Sequence, residues 1–417
     1  MQEGDRIAGI DVHKTMLAVV VMEGTAGACR RVQKAKFGTM ESQLRRLAQW
    51  LTELRVRQAV MESTAQYWRP VWRELEDQFE LFLAQAQSNR APRGRKGDFR
   101  DAERLARRHL ADELILSFVP DAQQRLWRTL SRTKYQLRRE RVQVQNQLES
   151  LLEEAHLKLS SCVSDLLGTS SRRILQALAT GEEDAERLAA LADPQLRASA
   201  AQLADALAQA ARLSPVHRQI LGLFLQRIEL IDTQIQVLDR SLAEALQQHQ
   251  DAVHRLAEVP GLGPDSAQQI IAEVGPCART FPSPAELAAW VGTCPGREES
   301  GGISKSNRSP KGNRMMRRLL NQAAQAAVRT KGSFFQKLYR RLVVRLGHHK
   351  TIWAVANRLC RLIWKILHQG VRYIEYGDQP DPARLRIRVQ KMIHELTKLG
   401  YRVQPLAVLE PVAKHLA

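Results

Sequence analysis

Short apolar runs separated by turn residues mark the first part of the chain. Their composition and alternation predict three successive strands, followed by two more strands that alternate with helices. The predicted strands are Arg6 to Val12, Met16 to Met22, Arg30 to Phe37, Gln58 to Glu62 and Leu81 to Ala84, and the predicted helices are Met40 to Leu54 and Tyr67 to Phe79. An antiparallel start followed by alternating helix and strand indicates an α/β domain that ends near Val119.

Two longer stretches have helical periodicity. The stretch from Asp121 to His156 contains no Gly or Pro, and the one from Val216 to Gln248 contains only Gly222. The intervals between their apolar residues predict two long helices but do not fix a strict heptad, so a helical hairpin and a coiled coil are both compatible with them. We expect a structural arm that pairs with itself or with another subunit.

From Ala257 onward the pattern is helical again, interrupted by Gly and Pro. The predicted organisation is an α/β domain over residues 1–119 and a helical arm over 120–250. A mainly α domain over 251–377 and a helical tail of unknown role over 378–417 follow. A chain of 417 residues is long enough for two or three domains of ordinary size.

The charge balance points to a polyanionic partner. The chain carries 63 Lys and Arg against 44 Asp and Glu, a formal net charge of +19. Such an excess is typical of proteins that bind nucleic acid. No apolar run approaches the ~20 residues that span a bilayer, and the N-terminus lacks the pattern of a signal peptide. We therefore expect a cytoplasmic protein that does not bind membranes.

Four acidic residues stand out in this basic chain. Asp11 and Glu62 each fall at the end of a predicted strand, and Asp98 and Asp101 open a predicted helix at i and i+3, on one face. Clustered carboxylates are the ligands that Mg²⁺ prefers, and a pair of such ions acts on phosphodiesters. Taken singly, Asp98 or Glu62 is better explained as a helix cap. Together, the four predict a Mg²⁺ site that could also accept Mn²⁺.

A glycine-containing turn is a second candidate. Gly261 and Gly263 flank Leu262 between two predicted helices, the pattern of a helix-hairpin-helix element. Backbone N–H groups left free at the second helix could bind a phosphate. An ordinary turn between helices has the same composition, so the sequence favours neither interpretation.

A third candidate surrounds Ser300, which precedes Gly301 and Gly302. Several cations follow it and could hold a nucleic-acid strand: Lys305, Arg308, Lys311, Arg314, Arg317 and Arg318. Ser300 could attack a phosphodiester and become linked to DNA. It could equally be an inert residue in a flexible phosphate-binding loop, and Ser304, Ser306 and Ser309 are rival hydroxyls.

Several blocks of this sequence resemble the DEDD transposases of the insertion-sequence 110 family. The blocks are Gly9 to Lys14, Met61 to Trp72, Gly94 to Glu103, Lys158 to Gly168, Cys294 to Asn313 and Arg329 to Gly332. Their order and spacing make the resemblance specific, and it spans roughly residues 6–377.

That resemblance implies a RuvC-like (RNase H-like) N-terminal domain and a C-terminal domain that carries the catalytic serine. Asp11, Glu62, Asp98 and Asp101 would bind the metal, and Ser300 would form a 5′-phosphoserine link. Arg95 and Lys96 would join the cations around Ser300 in binding nucleic acid. Family members act on donor and target DNA as dimers or tetramers, guided by a structured bridge RNA. We expect the metal and serine halves of the site to meet only on assembly.

Two other functions remain open from the residues. The carboxylates alone would suit a metal nuclease of the Holliday-junction type that uses water as nucleophile. The charge alone would suit a non-catalytic relative that only binds nucleic acid.

Overall fold

The protein is described from a computed structural model that covers residues 6–25, 27–62, 65–86, 97–296, 298–300, 303–306, 308–375 and 382–403. For residues 298–300, 303–306, 382–385 and 388 the backbone alone is described. The chain divides into two compact units, Met1–Asp121 and Ala122–Ala417.

The first unit contains a mixed five-stranded sheet. Its strands are β1 (Arg6–Val12), β2 (Met16–Thr25), β3 (Ala28–Gly38), β4 (Val56–Glu62) and β5 (Glu80–Ala84), in the order β3-β2-β1-β4-β5. The first three strands pair antiparallel, whereas β4 lies parallel to both β1 and β5. The predicted antiparallel start and the later alternation of helix and strand are confirmed.

Helices cover both faces of this sheet. They are α1 (Glu41–Glu53), α2 (Trp68–Leu75) and α3 (Asp98–Leu110). Because side chains alternate along a strand, Ala8 and Ile10 join a cluster with α1 and α2, whereas Ile7 packs with α3. α2 is shorter than predicted: beyond Leu75 the chain turns, and Phe79 N–H donates to the Leu75 carbonyl at 3.0 Å.

The second unit begins with two long helices, α4 (Ala122–Glu154) and α9 (Pro215–Ala245). Ion pairs join Lys134 to Asp239 and Arg141 to Asp232, so the helices run antiparallel. Four short helices lie between them: α5 (Leu159–Cys162), α6 (Thr169–Thr180), α7 (Ala185–Ala190) and α8 (Ala200–Ala206). Both long helices are therefore confirmed, and they form a helical hairpin within one chain; a coiled coil is not established.

The rest of this unit is mostly helical, as predicted. Its helices are α10 (Gln250–Ala257), α11 (Pro264–Val274), α12 (Pro284–Val291), α13 (Arg314–Ala327), α14 (Phe334–Gln369) and α15 (Pro382–Lys398), with a hairpin of β6 (Glu298–Ser300) and β7 (Ile303–Ser306) after α12. α14 is broken at Gly347, whose φ of +71° is left-handed. Within the described ranges, no helix has the length and apolar character required to cross a bilayer.

Candidate active site

Strand geometry brings Asp11 and Glu62 to one edge of the sheet. Asp11 is the second-last residue of β1 and Glu62 the last residue of β4. These strands are parallel neighbours, with Ile10 opposite Met61, so both carboxylates lie at the same strand ends. Ile7 and Val60 pack against α3. Because side chains alternate, Asp11 and Glu62 also belong to the face that α3 covers.

Helix α3 supplies the other two carboxylates. It begins at Asp98, and Asp101 follows one turn later, where its N–H donates to the Gly97 carbonyl at 2.8 Å. The N-cap position is occupied by Gly97, with no side-chain cap bond, so the capping explanation of Asp98 is wrong. Nor does Glu62 cap α2, whose N-cap is Tyr67 without a side-chain bond. Neither acid is needed to start a helix.

Gly9 allows α3 to lie directly on β1. A Cβ atom at this position would stand 2.0 Å from the Ala102 carbonyl oxygen and 2.9 Å from its carbon. Real Cβ atoms do not approach a neighbour closer than 3.0 Å. Gly9 and Asp11 are two residues apart on β1 and therefore lie on the same face of the strand. The contact at Gly9 thus sets the distance between the first turn of α3 and Asp11. The sequence placed Gly9 in a family block but gave no sign of this role.

The carboxylates influence one another electrostatically. Burial raises the pKa of Asp11, whose side chain is 17% exposed, and the charges of Asp101 and Asp98 raise it further. His13 acts in the opposite direction and lowers this pKa through its charge and its hydrogen bond. A cluster in which like charges repel in a half-buried place is favourable for a bound cation.

Three basic side chains contact the acidic cluster. His13 Nε2 lies 3.1 Å from Asp11 Oδ2 and 3.6 Å from Asp98 Oδ1, and Lys36 Nζ lies 3.3 Å from Asp98 Oδ2. Arg104 holds Asp101 through a hydrogen bond of 2.7 Å. Sequence reasoning identified neither His13 nor Lys36 as a site residue. The available signal for His13 was its place in the turn that follows β1, two residues after Asp11.

The donor set suits a divalent metal ion. One ligand atom from each of Asp11, His13 and Asp98 can be chosen so that all lie within 4.8 Å of one another. The carboxylates supply hard oxygen ligands, and the imidazole adds a nitrogen donor that Mn²⁺ accepts more readily than Mg²⁺. The residues present therefore fit a divalent ion, and the set contains two of the four predicted carboxylates, Asp11 and Asp98, together with His13.

Ser300 lies in a β-hairpin and not in an irregular loop. It is the last residue of β6 and pairs with Ile303, the first residue of β7. Its side chain, and that of Lys305, lie outside the described residues, as do Arg95 and Lys96 entirely. The backbone nevertheless fixes the pairing of Ser300 with β7.

The cations after the hairpin divide into two groups. Arg308, Lys311 and Arg314 are exposed. Arg317, by contrast, donates to the carbonyls of Gly292 and Pro310 and stacks 4.4 Å from the ring centroid of Trp353. Its neighbour Arg318 donates to Gln269 and stacks on Tyr135 at the same distance. These contacts engage both arginines within the fold, and the expectation that they also hold a nucleic-acid strand stays a prediction.

A buried glutamate anchors the segment that follows the hairpin. Glu273 is 1% exposed and accepts two hydrogen bonds from Arg132, at 2.8 and 2.9 Å. It also accepts one at 3.1 Å from Asn313, which caps α13 through the Met316 N–H. Burial would raise the pKa of Glu273, but Arg132, Arg128 and Asn313 together lower it. The segment is thereby fixed to α4 and α11, which the sequence did not predict.

The glycine turn between α10 and α11 has two different environments. A Cβ atom on Gly261 would lie 2.3 Å from the Ala323 carbonyl oxygen, because the turn packs tightly on α13. Gly263 faces open space and occupies the N-cap position of α11 without a side-chain bond. Asp265, in the first turn of α11, pairs with Arg138 at 3.0 Å. Only Gly263 leaves room for a phosphate, and the helix-hairpin-helix element stays a prediction.

Comparison with known proteins identifies both regions. Residues 8–157 match the family model DEDD_Tnp_IS110, described as a transposase, and residues 253–340 match a model described as the transposase IS116/IS110/IS902 family. The chain is 27% identical over 317 residues to a probable family 20 transposase of Pseudomonas aeruginosa, covering 75% of this chain and 83% of the relative. It is 24% identical over 279 residues to the transposase for insertion sequence element IS1328 of Yersinia enterocolitica, covering 66% and 72%.

The five-stranded sheet with its helices fits the RNase H-like domain expected of such enzymes, and the family implies a DNA substrate. The chain therefore belongs to the IS110 family of DEDD transposases, enzymes that cleave and rejoin DNA.

Proposed function

We propose that this transposase cleaves DNA with Ser300 as nucleophile, assisted by Mg²⁺ or Mn²⁺ bound to Asp11, Glu62, Asp98 and Asp101. One observation carries the proposal: β1, β4 and the first turn of α3 direct four carboxylates to one edge of the sheet. Divalent ions bound there would polarise the scissile phosphate and stabilise a leaving oxygen.

The chain's own residues have separate tasks around that cluster. The carboxylates provide the negative charge that binds the cation, and Arg104 fixes the position of Asp101. His13, 3.1 Å from Asp11, is placed to hold a proton at Nε2 or to add a ligand. Lys36 neutralises part of the charge of Asp98 when no other cation is near.

The proposed reaction at Ser300 conserves atoms and charge. The serine oxygen bonds to the scissile phosphorus, the 3′ oxygen leaves with a proton, and the serine proton passes to a base. A 5′-phosphoserine link results, and attack by the 3′ hydroxyl of a partner strand later releases the serine. Arg308, Lys311 and Arg314, exposed beyond the hairpin, would hold the strand through its phosphates.

The partners are proposed on two grounds. Family resemblance supports a structured bridge RNA that pairs with donor and target DNA. A homo-oligomer is supported by an exposed apolar stripe on α9, seven residues apart at each step: Val216, Leu223, Leu230 and Val237, with exposures of 62%, 56%, 58% and 48%. Such spacing is typical of a helix that packs on another helix.

The test is a search for covalent protein–DNA adducts. Wild type, Ser300→Ala and Asp11→Asn are incubated with end-labelled DNA carrying an element end, the RNA transcribed from its flank, and Mg²⁺, then denatured and separated. We expect an adduct with wild type only. Ser309→Ala removes a hydroxyl from the same segment and should retain the adduct.

The outcomes separate the alternatives. An adduct that persists in Ser300→Ala would exclude that serine as nucleophile. Cleavage without an adduct at any time point would favour a metal nuclease that uses water. Binding without cleavage, with RNA supplied, would favour a non-catalytic relative.

A further inference from the structure

Helix α14 doubles back on itself at Gly347 and creates a groove between its two limbs. Residues 334–346 form the first limb and 348–369 the second. The Tyr339 hydroxyl lies 2.8 Å from His348 Nδ1 near the bend, and the Arg358 guanidinium lies 6.0 Å from the centroid of the Phe334 ring further along. These contacts make the limbs antiparallel neighbours.

The groove combines an apolar wall with cationic groups. It encloses about 260 Å³ and is lined by Phe334, Leu338, Arg341, Leu342, Ala354, Asn357 and Arg358. Phe334 in this wall is 37% exposed to solvent. Within the described part of the chain, neither Arg341 nor Arg358 forms an ion pair. A partly exposed aromatic ring beside two arginines that form no ion pair is unusual for a surface that contacts only water.

The surrounding sequence strengthens the positive field. Residues 300–374 contain 17 Lys and Arg and no Asp or Glu. The next acid, Glu375, accepts a hydrogen bond from the Phe334 N–H at 3.1 Å and another from the Tyr373 hydroxyl at 2.6 Å. Its charge is therefore engaged at the N-terminus of α14 and does not pair with the groove arginines.

The groove also adjoins the residues that lead from α12 into the β6–β7 hairpin, which carries Ser300. Asn357 Nδ2, which lines the groove, lies 3.4 Å from Thr293 Oγ1 and 3.7 Å from Cys294 Sγ. These residues come directly before the segment that leads into β6. A ligand in the groove would therefore lie beside the base of that segment.

We propose that this groove binds an unpaired nucleotide of single-stranded DNA, with its base against Phe334 and its phosphates against Arg341 and Arg358. Base stacking on an aromatic ring and phosphate contacts to arginine are the two components of single-strand binding. The site rests on the proposed function in one respect, because strand exchange is what would generate unpaired DNA. DNA is the occupant we infer because it is the substrate of the family.

The test measures equilibrium binding and needs no cleavage. Full-length protein is titrated into a fluorescein-labelled single-stranded DNA oligonucleotide, and fluorescence anisotropy is followed at several salt concentrations without divalent metal. Replacing both arginines, Arg341→Gln with Arg358→Gln, should weaken binding and lower the salt slope by about 1.4, or about 0.7 for each phosphate contact on a single strand. Phe334→Leu should weaken binding at least about fivefold and leave the salt slope unchanged.

A charge-matched control isolates the groove. Arg197→Gln with Arg227→Gln removes two exposed arginines from the helical arm and should change the slope less. Thermal melting of each variant at the wild-type temperature shows that it is folded. Ser300→Ala should bind like wild type, so failure of the serine chemistry would leave the groove assignment intact.

Three results would overturn the inference. Wild-type affinity in Phe334→Leu would exclude a base-binding site, whatever the arginines do. An equal loss for duplex DNA in the groove variants would exclude selection of an unpaired nucleotide. A larger loss for single-stranded RNA of the same sequence would assign the groove to RNA instead of DNA.

Discussion

A single methyl group at Gly9 should displace α3 and disable the carboxylate cluster. In Gly9→Ala the new Cβ would lie 2.0 Å from the Ala102 carbonyl oxygen, so the two must separate by at least 1.0 Å to reach 3.0 Å. Overpacking of this kind costs about 1–3 kcal/mol of folding stability. A displacement of ~1 Å in catalytic geometry lowers rates about 100-fold. We therefore expect a folded protein with a lower melting temperature and a far larger loss of cleavage.

The assay compares stability, metal binding and cleavage in one set of proteins. Calorimetric titration with Mn²⁺ should show weaker binding in Gly9→Ala, because Asp98 and Asp101 move away from Asp11. The control is Gly27→Ala in the same unit, where an added Cβ meets nothing within 4 Å. Wild-type metal affinity and cleavage in Gly9→Ala would refute the argument that this contact sets the site.

Three further predictions concern Lys36, Glu273 and the apolar stripe on α9. Lys36→Met should raise Mn²⁺ affinity about two- to fivefold in calorimetry, because a partly exposed ion pair of about 0.5–1 kcal/mol no longer competes for Asp98; weaker binding would contradict this. Glu273→Gln should lower the free energy of unfolding in urea by about 1–3 kcal/mol, because Arg128 and the partly exposed Arg132 lose their charged partner. The pKa of Glu273 is lowered in the native state, so its ionised form stabilises the fold above the ordinary glutamate pKa of 4.5, and this stability is lost as pH falls. Glu273→Gln lacks the carboxylate and should therefore lose less stability on acidification than wild type. Leu223→Glu with Leu230→Glu should reduce the oligomer measured by light scattering, whereas an unchanged mass would exclude the α9 stripe as an interface.

Most of the secondary structure of the first unit follows from local pattern. β1 has the predicted bounds Arg6–Val12, and β4 and β5 differ from prediction only at their first residues. Alternation and β-branched composition are short-range signals, so they predict strands without knowledge of the tertiary fold. The same holds for Asp11 and Glu62, since a strand end can be recognised from the run that precedes it.

What the sequence did not predict depends on contacts between distant residues. Glu273 and Asn313 are 40 residues apart, and nothing near either one signals a partner. Arg314, Arg317 and Arg318 all lie on α13, and they differ only in whether their place on the helix turns the side chain towards solvent or towards the rest of the fold. A list of cations cannot distinguish inward from outward residues when the helix face is unknown.

Glycines inside helical patterns show the same limit. Gly222 stays helical within α9, whereas Gly347 adopts a φ of +71° and turns α14 back on itself. Both positions have open space around an added Cβ, so local sterics do not separate them. Packing of the two α14 limbs decides the outcome, and the sequence carries no short-range trace of it.

The sheet unit has a consequence for synthesis of the protein. Its five strands and three helices are all encoded before Ala122, so the carboxylate cluster is built from contacts within the first compact unit. Domains generally fold as they leave the ribosome, N-terminal first. The cluster can therefore form on the nascent chain long before Ser300 has been translated. A chain cut short within the arm would keep all four carboxylates and yet lack the hairpin that carries Ser300.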